Sequence, residues 1–204
     1  MTKSLTPRNR PKQNRSVKRA QEIMDVTASL LDRVGFDDLT TILITRELGI
    51  SVGSLYHYFP NKHAILRSIA ENWLKEWDRV LDNIASMPVE SMNTISIIKK
   101  LLDTFLAVYQ KQRGILPLIQ AIYAVPELRD LDEKHDKLVV KKMSALFKRM
   151  GLKASTKELQ RIAFCYLEII HAMLMISLNQ TKAASKKTLF DLNNVIEALL
   201  KPYK

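Results

Sequence analysis

Between Gly35 and Pro60 the chain has room for two short helices and little else. Thr40 or Thr41 can cap a first run that turns Ile44 and Leu48 inward. Gly49-Ile50-Ser51 then supplies a glycine for a turn, an apolar residue to pin it and a serine able to cap the next helix. Val52 to Phe59 make about two helical turns, closed by Pro60. Upstream, Asn14 or Ser16 can cap a helix whose Ala20, Ile23, Thr27, Leu30, Leu31 and Val34 step by three and four until Gly35 ends it. Downstream, Asn61 caps a long helix, 61–85, through Ile65, Leu66, Ile69, Trp73 and Trp77. Two short helices joined by a tight glycine-bearing turn are the pattern of a helix-turn-helix.

Several strings in fixed order narrow this further. They are Gly35-Phe36, Leu39-Thr40-Thr41, Ile44, Leu48-Gly49-Ile50-Ser51, Gly53-Ser54-Leu55-Tyr56-His57-Tyr58-Phe59 and Asn61-Lys62. On these, residues 16–70 resemble the DNA-binding domain of the tetracycline-repressor (TetR) family of transcriptional regulators. Beyond residue 70 the resemblance rests on helical layout and length alone. It implies that Thr41, Ser51, Tyr56, Tyr58 and Lys62 contact phosphates, with Val52, Ser54 and His57 nearer the bases.

The residue chemistry supports that division independently. Leu55 and Phe59, four apart, can face the first helix and leave Ser51, Val52, Ser54, Tyr56, His57 and Tyr58 for the outer and flanking surfaces. Gly53 removes a side chain where a backbone can approach closely. Lys62 puts a cation in the first turn of the long helix, an anion-binding helix end. The other reading of Tyr56 and Tyr58 is that they cover core. Many family members have a basic residue where this chain has Val52, and a polar or basic one near Ile42 or Leu43; Thr45 replaces a common alanine. Apolar Val52 and Ile42 suit thymine methyl groups, so an operator rich in A·T at those positions is expected.

Charge enters at the amino terminus. The chain carries 32 Lys and Arg against 21 Asp and Glu, a net +11. Lys3, Arg8, Arg10, Lys12, Arg15, Lys18 and Arg19 form a start without acids, broken by Pro7 and Pro11. Residues 1–14 read as a flexible basic arm that seeks phosphate or as a solvated tail, and Arg15 and Lys18 extend it into the helix. This start has no apolar run, so no secretory signal is expected.

The rest of the chain is helical. Met87-Pro88 breaks the long helix; Ser91 to Gln112 carry Ile95, Ile98, Leu101, Leu102, Phe105 and Tyr109. Gly114 and Pro117 punctuate a short helix reaching Tyr123, and Pro126 opens another that runs to about Met150. Ser155 or Thr156 caps the next, and Ser185 to Lys201 make the last. The expected fold is all-α, with about nine helices. An amino-terminal three-helix unit (15–62) precedes an effector-binding and dimerisation bundle (63–204), and helix 61–85 connects the two.

From Ile162 to Leu178 only Glu168, His171 and Ser177 are polar, so this helix is apolar on all sides. Glu168 and His171 near its middle make it a poor membrane span. Packing on its own bundle and on a second subunit covers it economically. A homodimer through 156–180 and 185–201 is therefore expected, and the resemblance implies the same.

Trp73, Trp77, Phe105, Tyr109, Tyr123, Phe147 and Tyr166, with Met143, Met173 and Met175, read either as ordinary core or as a wall for a small apolar effector. Glu168 and His171, three apart, form a mutual pair or give a ligand anchor. Asp132, His135 and Asp136 share a helix turn without a second nearby histidine, and acids in a first turn suit the helix dipole, so no metal site is expected. Cys165, the one cysteine, reads as a core thiol, and neither a cofactor nor a catalytic motif is expected. The whole reads as a cytoplasmic, ligand-responsive regulator that binds a pseudo-palindromic DNA operator as a homodimer. The resemblance implies a repressor; an activator or a corepressor-dependent regulator of the same family is the alternative.

Overall fold

The computed structural model describes residues 14–111, 117–118 and 128–204. Eight α-helices are present among the described residues: α1 Asn14–Asp38, α2 Thr41–Leu48, α3 Val52–Tyr58, α4 Lys62–Ala85, α5 Thr94–Lys111, α6 Arg129–Arg149, α7 Thr156–Leu178 and α8 Lys182–Leu200. Most of the basic arm and the short helix expected to reach Tyr123, with Tyr123 itself, lie outside the described residues.

The short helices are bounded by the side chains that the sequence offers. Thr40 accepts a hydrogen bond from the Leu43 amide at 3.1 Å, Ser51 from the Ser54 amide at 3.1 Å and Asn61 from the Ala64 amide at 2.9 Å. Gly49 ends α2 in the left-handed region at φ 64°, which glycine adopts without a Cβ penalty. Gly35 interrupts α1 at φ 76°, ψ 180°, a backbone region that is nearly glycine's alone. The helix therefore breaks there, and Phe36 to Asp38 form a separate turn. At the other end, Asn14 and Ser16 already lie inside α1.

The chain divides into two compact units. Among the described residues the first holds 14–75, 117–118 and 128–132. Its core joins Ile23, Leu30 and Leu31 of α1 to Ile44, Leu55, Phe59, Ile65, Leu66 and Ile69. Leu118, Leu128 and Leu131 belong to the same cluster. Each such fully buried aliphatic side chain contributes about 1.5–3 kcal/mol of transfer free energy. Thr27, buried among them, satisfies its hydroxyl on the Ile23 carbonyl at 2.6 Å.

The second unit holds 76–111 and 133–204 among the described residues. Within it Arg149, in the last turn of α6, grips the end of α4. Its guanidinium donates to the Ala85 carbonyl, to the Met87 carbonyl at 2.7 Å and to Glu90 at 2.7 Å. Lys142 on α6 pairs with Asp82 at 2.8 Å. α7 packs most extensively on α8 and is, among the described residues, the one helix long and apolar enough to cross a membrane by length and composition.

Two sequence expectations shift here. Ile95, in the first turn of α5, points outward, and Ile97 takes its place in the core. The last helix starts at Lys182, because Thr181 caps it and Ser185 hydrogen-bonds Ser177 at 2.7 Å instead.

Candidate functional site

α3 separates its two faces cleanly. Leu55 is fully buried, and Phe59 just beyond the helix is 2 % exposed. Val52, Gly53, Ser54, Tyr56 and His57 are exposed, and this surface carries no acidic or lysine/arginine side chain. Such a surface presents a methyl pair, a hydroxyl, a phenol and an imidazole, groups that address base edges and sugar-phosphate oxygens. Ser51 is spent largely on structure: its hydroxyl caps α3 and donates to the Ser54 hydroxyl at 3.0 Å. A Cβ built on Gly53 meets only the Ser51 hydroxyl, at 3.9 Å, so nothing within the chain demands a glycine there.

Beside α3 lies a groove of 310 Å³ lined by Thr40, Thr41, Tyr56, Asn61, Lys62 and His63, with Leu39 at its floor. Three of the expected phosphate contacts, Thr41, Tyr56 and Lys62, meet in it. The Thr41 and Tyr56 hydroxyls are 3.4 Å apart. Lys62 has a second task that the sequence did not reveal. Its ammonium donates to the Phe36 carbonyl at 3.1 Å and the Leu39 carbonyl at 3.0 Å, and sits 4.4 Å from the Phe36 ring centre. It thus ties the chain between α1 and α2 to the start of α4, with one of its three N–H donors beyond those two bonds. His63, not singled out from sequence, enters the site only because α4 begins against this groove.

Tyr58 is half-buried and packs on the core, with the His57 ring edge-on at 5.1 Å. Tyr58 is thus more covered than Tyr56, which is 37 % exposed. Arg15 and Lys18 are exposed on the first turns of α1. Ile42, 63 % exposed, adds an apolar group to the surface of α2.

In the second unit the structure brings together Trp77, Phe105, Tyr109, Phe147, Tyr166 and His171. The Trp77 ring lies 5.3 Å from Phe105, 5.7 Å from Tyr109 and 5.9 Å from His135, centre to centre. Tyr166 meets Phe147 at 5.4 Å and Phe105 at 6.3 Å, both edge-on. Trp73 is buried but belongs to the first unit. His171 shares a 2.7 Å hydrogen bond between its Nδ1 and the Tyr109 hydroxyl, so its partner is a residue of α5. Glu168 stands exposed. The pairing of Glu168 with His171 weighed from sequence gives way to this contact, since only the folded bundle brings α5 against α7. Burial, and secondarily the nearby His171, holds the His135 imidazole down to about 4. Burial pushes the Tyr166 phenol up. Among the described residues no group of three His, Cys, Asp or Glu could hold a metal ion.

Two family models match. Residues 23–69 match "Bacterial regulatory proteins, tetR family", and residues 96–200 match "Tetracyclin repressor-like, C-terminal domain". Among curated proteins, the chain is 30 % identical over 74 residues to the HTH-type transcriptional regulator BetI of Vibrio campbellii, 36 % of this chain and 37 % of that one. It is 29 % identical over 107 residues to the nucleoid occlusion factor SlmA of Glaesserella parasuis, 52 % of this chain and 51 % of that one. It therefore spans between about a third and about a half of these relatives' length. In fold it is similar to a TetR transcription regulator from Haloarcula marismortui, with a TM-score of 0.71, 17 % identity and coverage of 92 % and 98 % of the two chains. It is also similar to a protein from Saccharomonospora viridis solved in complex with choline, with a TM-score of 0.72, 16 % identity and coverage of 89 % and 96 %. The second family match alone takes in more than half of the sequence, and with the helix-turn-helix match ahead of it the chain belongs to the tetR family of bacterial regulatory proteins.

Proposed function

We propose that this chain is a cytoplasmic, sequence-specific DNA-binding repressor that reads a pseudo-palindromic operator as a homodimer and is released by a small apolar effector. The observation that carries the reading is the two-faced α3. Leu55 anchors it in the core while Val52, Ser54, Tyr56 and His57 stay exposed beside a groove holding Thr41 and Lys62. In this reading Val52, Ser54 and His57 address bases. Thr41, Ser51, Tyr56, Tyr58 and Lys62, with Arg15 and Lys18, address phosphates, and Gly53 admits the DNA backbone. The basic residues of 1–14 add contacts that any sequence can satisfy.

Exposed apolar side chains support a second copy. Phe164 and Ile176 on α7 are 47 % and 53 % exposed, and Phe190 and Val195 on α8 are 67 % and 40 % exposed. Large apolar groups left open on two neighbouring helices suit a self-complementary interface, and a homodimer carries two copies of α3 to meet the two halves of a pseudo-palindrome. The aromatic cluster of the second unit suits an apolar effector. Trp77 places α4 in that cluster, while the same helix begins at Lys62 in the groove. An effector that favours a displaced α4 shifts the population away from the DNA-binding arrangement.

Selection of bound duplex from a random pool at near-physiological salt tests the reading. One enriched inverted repeat is expected. Binding without enrichment contradicts it and leaves generic affinity for polyanions.

A further inference from the structure

Tyr166 lies on α7 with 1 % of its surface exposed, and among the described residues its hydroxyl has no hydrogen-bond partner. Buried hydroxyls are nearly always paired, so an exception asks for a reason. The rings edge-on to Tyr166, Phe105 and Phe147, offer it neither donor nor acceptor. Burial keeps the phenol protonated at any physiological pH, so its O–H is available as a donor.

The other polar groups of the aromatic cluster bound what a ligand there can meet. The Tyr109 hydroxyl and His171 Nδ1 hold each other at 2.7 Å. The His135 imidazole, edge-on to Trp77, is held uncharged above about pH 4. Glu168 faces outward. Among the described residues the buried polar side chains are Thr27, Thr45, Ser144 and Ser177, none of them charged. Among the described residues an ionic ligand entering these rings would find no fully buried side chain of opposite charge, which is costly. A quaternary ammonium group could stack on Trp77 yet would offer the Tyr166 hydroxyl no acceptor.

We infer that the effector is an uncharged, flat, apolar molecule bearing one hydrogen-bond acceptor, and that the Tyr166 hydroxyl donates to that acceptor. This rests on the reading that the second unit binds an effector. The rings touch in the free chain, so an entering ring parts Trp77 on α4 from Phe105 on α5. Binding is thereby coupled to the helix that begins at the DNA-facing groove.

The test uses the full-length protein, calorimetry and three probes of similar size: 2-acetylnaphthalene, 2-ethylnaphthalene and benzyltrimethylammonium. The ratio of ketone to hydrocarbon affinity is expected to be about tenfold higher in the wild type than in Tyr166→Phe, the scale of one hydrogen bond. Hydrocarbon affinity and thermal stability should survive the substitution, because a phenylalanine leaves no hydroxyl unpaired. A ratio that does not change in Tyr166→Phe overturns the assignment of the donor. Tightest binding by the ammonium probe overturns the neutral class in favour of a cation cage. If no probe binds, the effector reading fails, and the inference with it.

Discussion

The Arg67 guanidinium meets the Asp130 carboxylate in two parallel hydrogen bonds, Nη1 to Oδ1 at 2.7 Å and Nη2 to Oδ2 at 2.8 Å. The Arg67 side chain is 16 % exposed and that of Asp130 46 %, and Glu71 accepts from Nε at 3.2 Å. The pair ties the first turn of α6 to α4. Asp130→Ala removes the two-pronged partner of a largely covered guanidinium, which keeps its bond to Glu71. The expected loss is about 1–2 kcal/mol, between an exposed and a buried pair. Arg67→Lys should lose nearly as much, since an ammonium cannot make the two-pronged contact. Urea unfolding measures both, and unchanged midpoints contradict the clamp.

Gly53→Ala separates folding from recognition. The added methyl meets only the Ser51 hydroxyl at 3.9 Å, and alanine suits a helix better than glycine. Stability should be unchanged or raised by up to about 1 kcal/mol. Affinity for the enriched duplex should fall about tenfold or more, a difference of at least about 1.4 kcal/mol. Thermal melting and anisotropy titration of one preparation read both. Undiminished affinity would show that nucleic acid does not approach this backbone.

Much of this arrangement was legible before folding was considered, because it is local. The caps Thr40, Ser51, Asn61 and Ser155 and the inward pair Leu55 and Phe59 depend on spacings of three and four residues. Long-range partners left no such trace. Lys62 reaches carbonyls 23 and 26 residues back, and Tyr109 finds His171 62 residues on. The sequence could offer Lys62 as a cation at a helix start; its clamp on the α1–α2 connection arises only from the packing of α4. Likewise Glu168 and His171 share a helix three residues apart, yet α5 decides which of them finds a partner inside.

His135 gives the second unit a pH dependence. Its folded value of about 4 lies below the ordinary 6.5, so between these the unfolded chain binds a proton that the folded chain does not. Stability should therefore be indifferent to this group above about pH 6.5, fall as the pH drops towards 4, and level off below. The loss reaches up to about 3 kcal/mol, at 1.36 kcal/mol per unit. Among the described residues the Trp77 ring and the His171 imidazole bear on it. Denaturation midpoints from pH 7.5 to 4.5 should slope less in His135→Gln than in the wild type; parallel curves contradict the assignment.

Phe190 tests the proposed pairing of copies. At 67 % exposure it contributes little to its own chain, so Phe190→Asp should preserve the far-ultraviolet helix signal. Buried in a self-complementary interface, the carboxylate would weaken dimerisation by a hundredfold or more, about 2.7 kcal/mol or above on the hot-spot scale. Sedimentation equilibrium checks the weakened dimerisation, and operator titration checks the fall in DNA affinity expected to follow from it. A variant that stays dimeric removes α8 from the interface.

The central claim is that two copies of α3, held at a fixed separation, read one duplex. The enriched inverted repeat is compared with the same repeat carrying about five extra base pairs between its halves, which turns one half-site by about half a helical turn. The split site is predicted to bind no more tightly than one half-site alone. Equal affinity for the split and intact sites would contradict the claim.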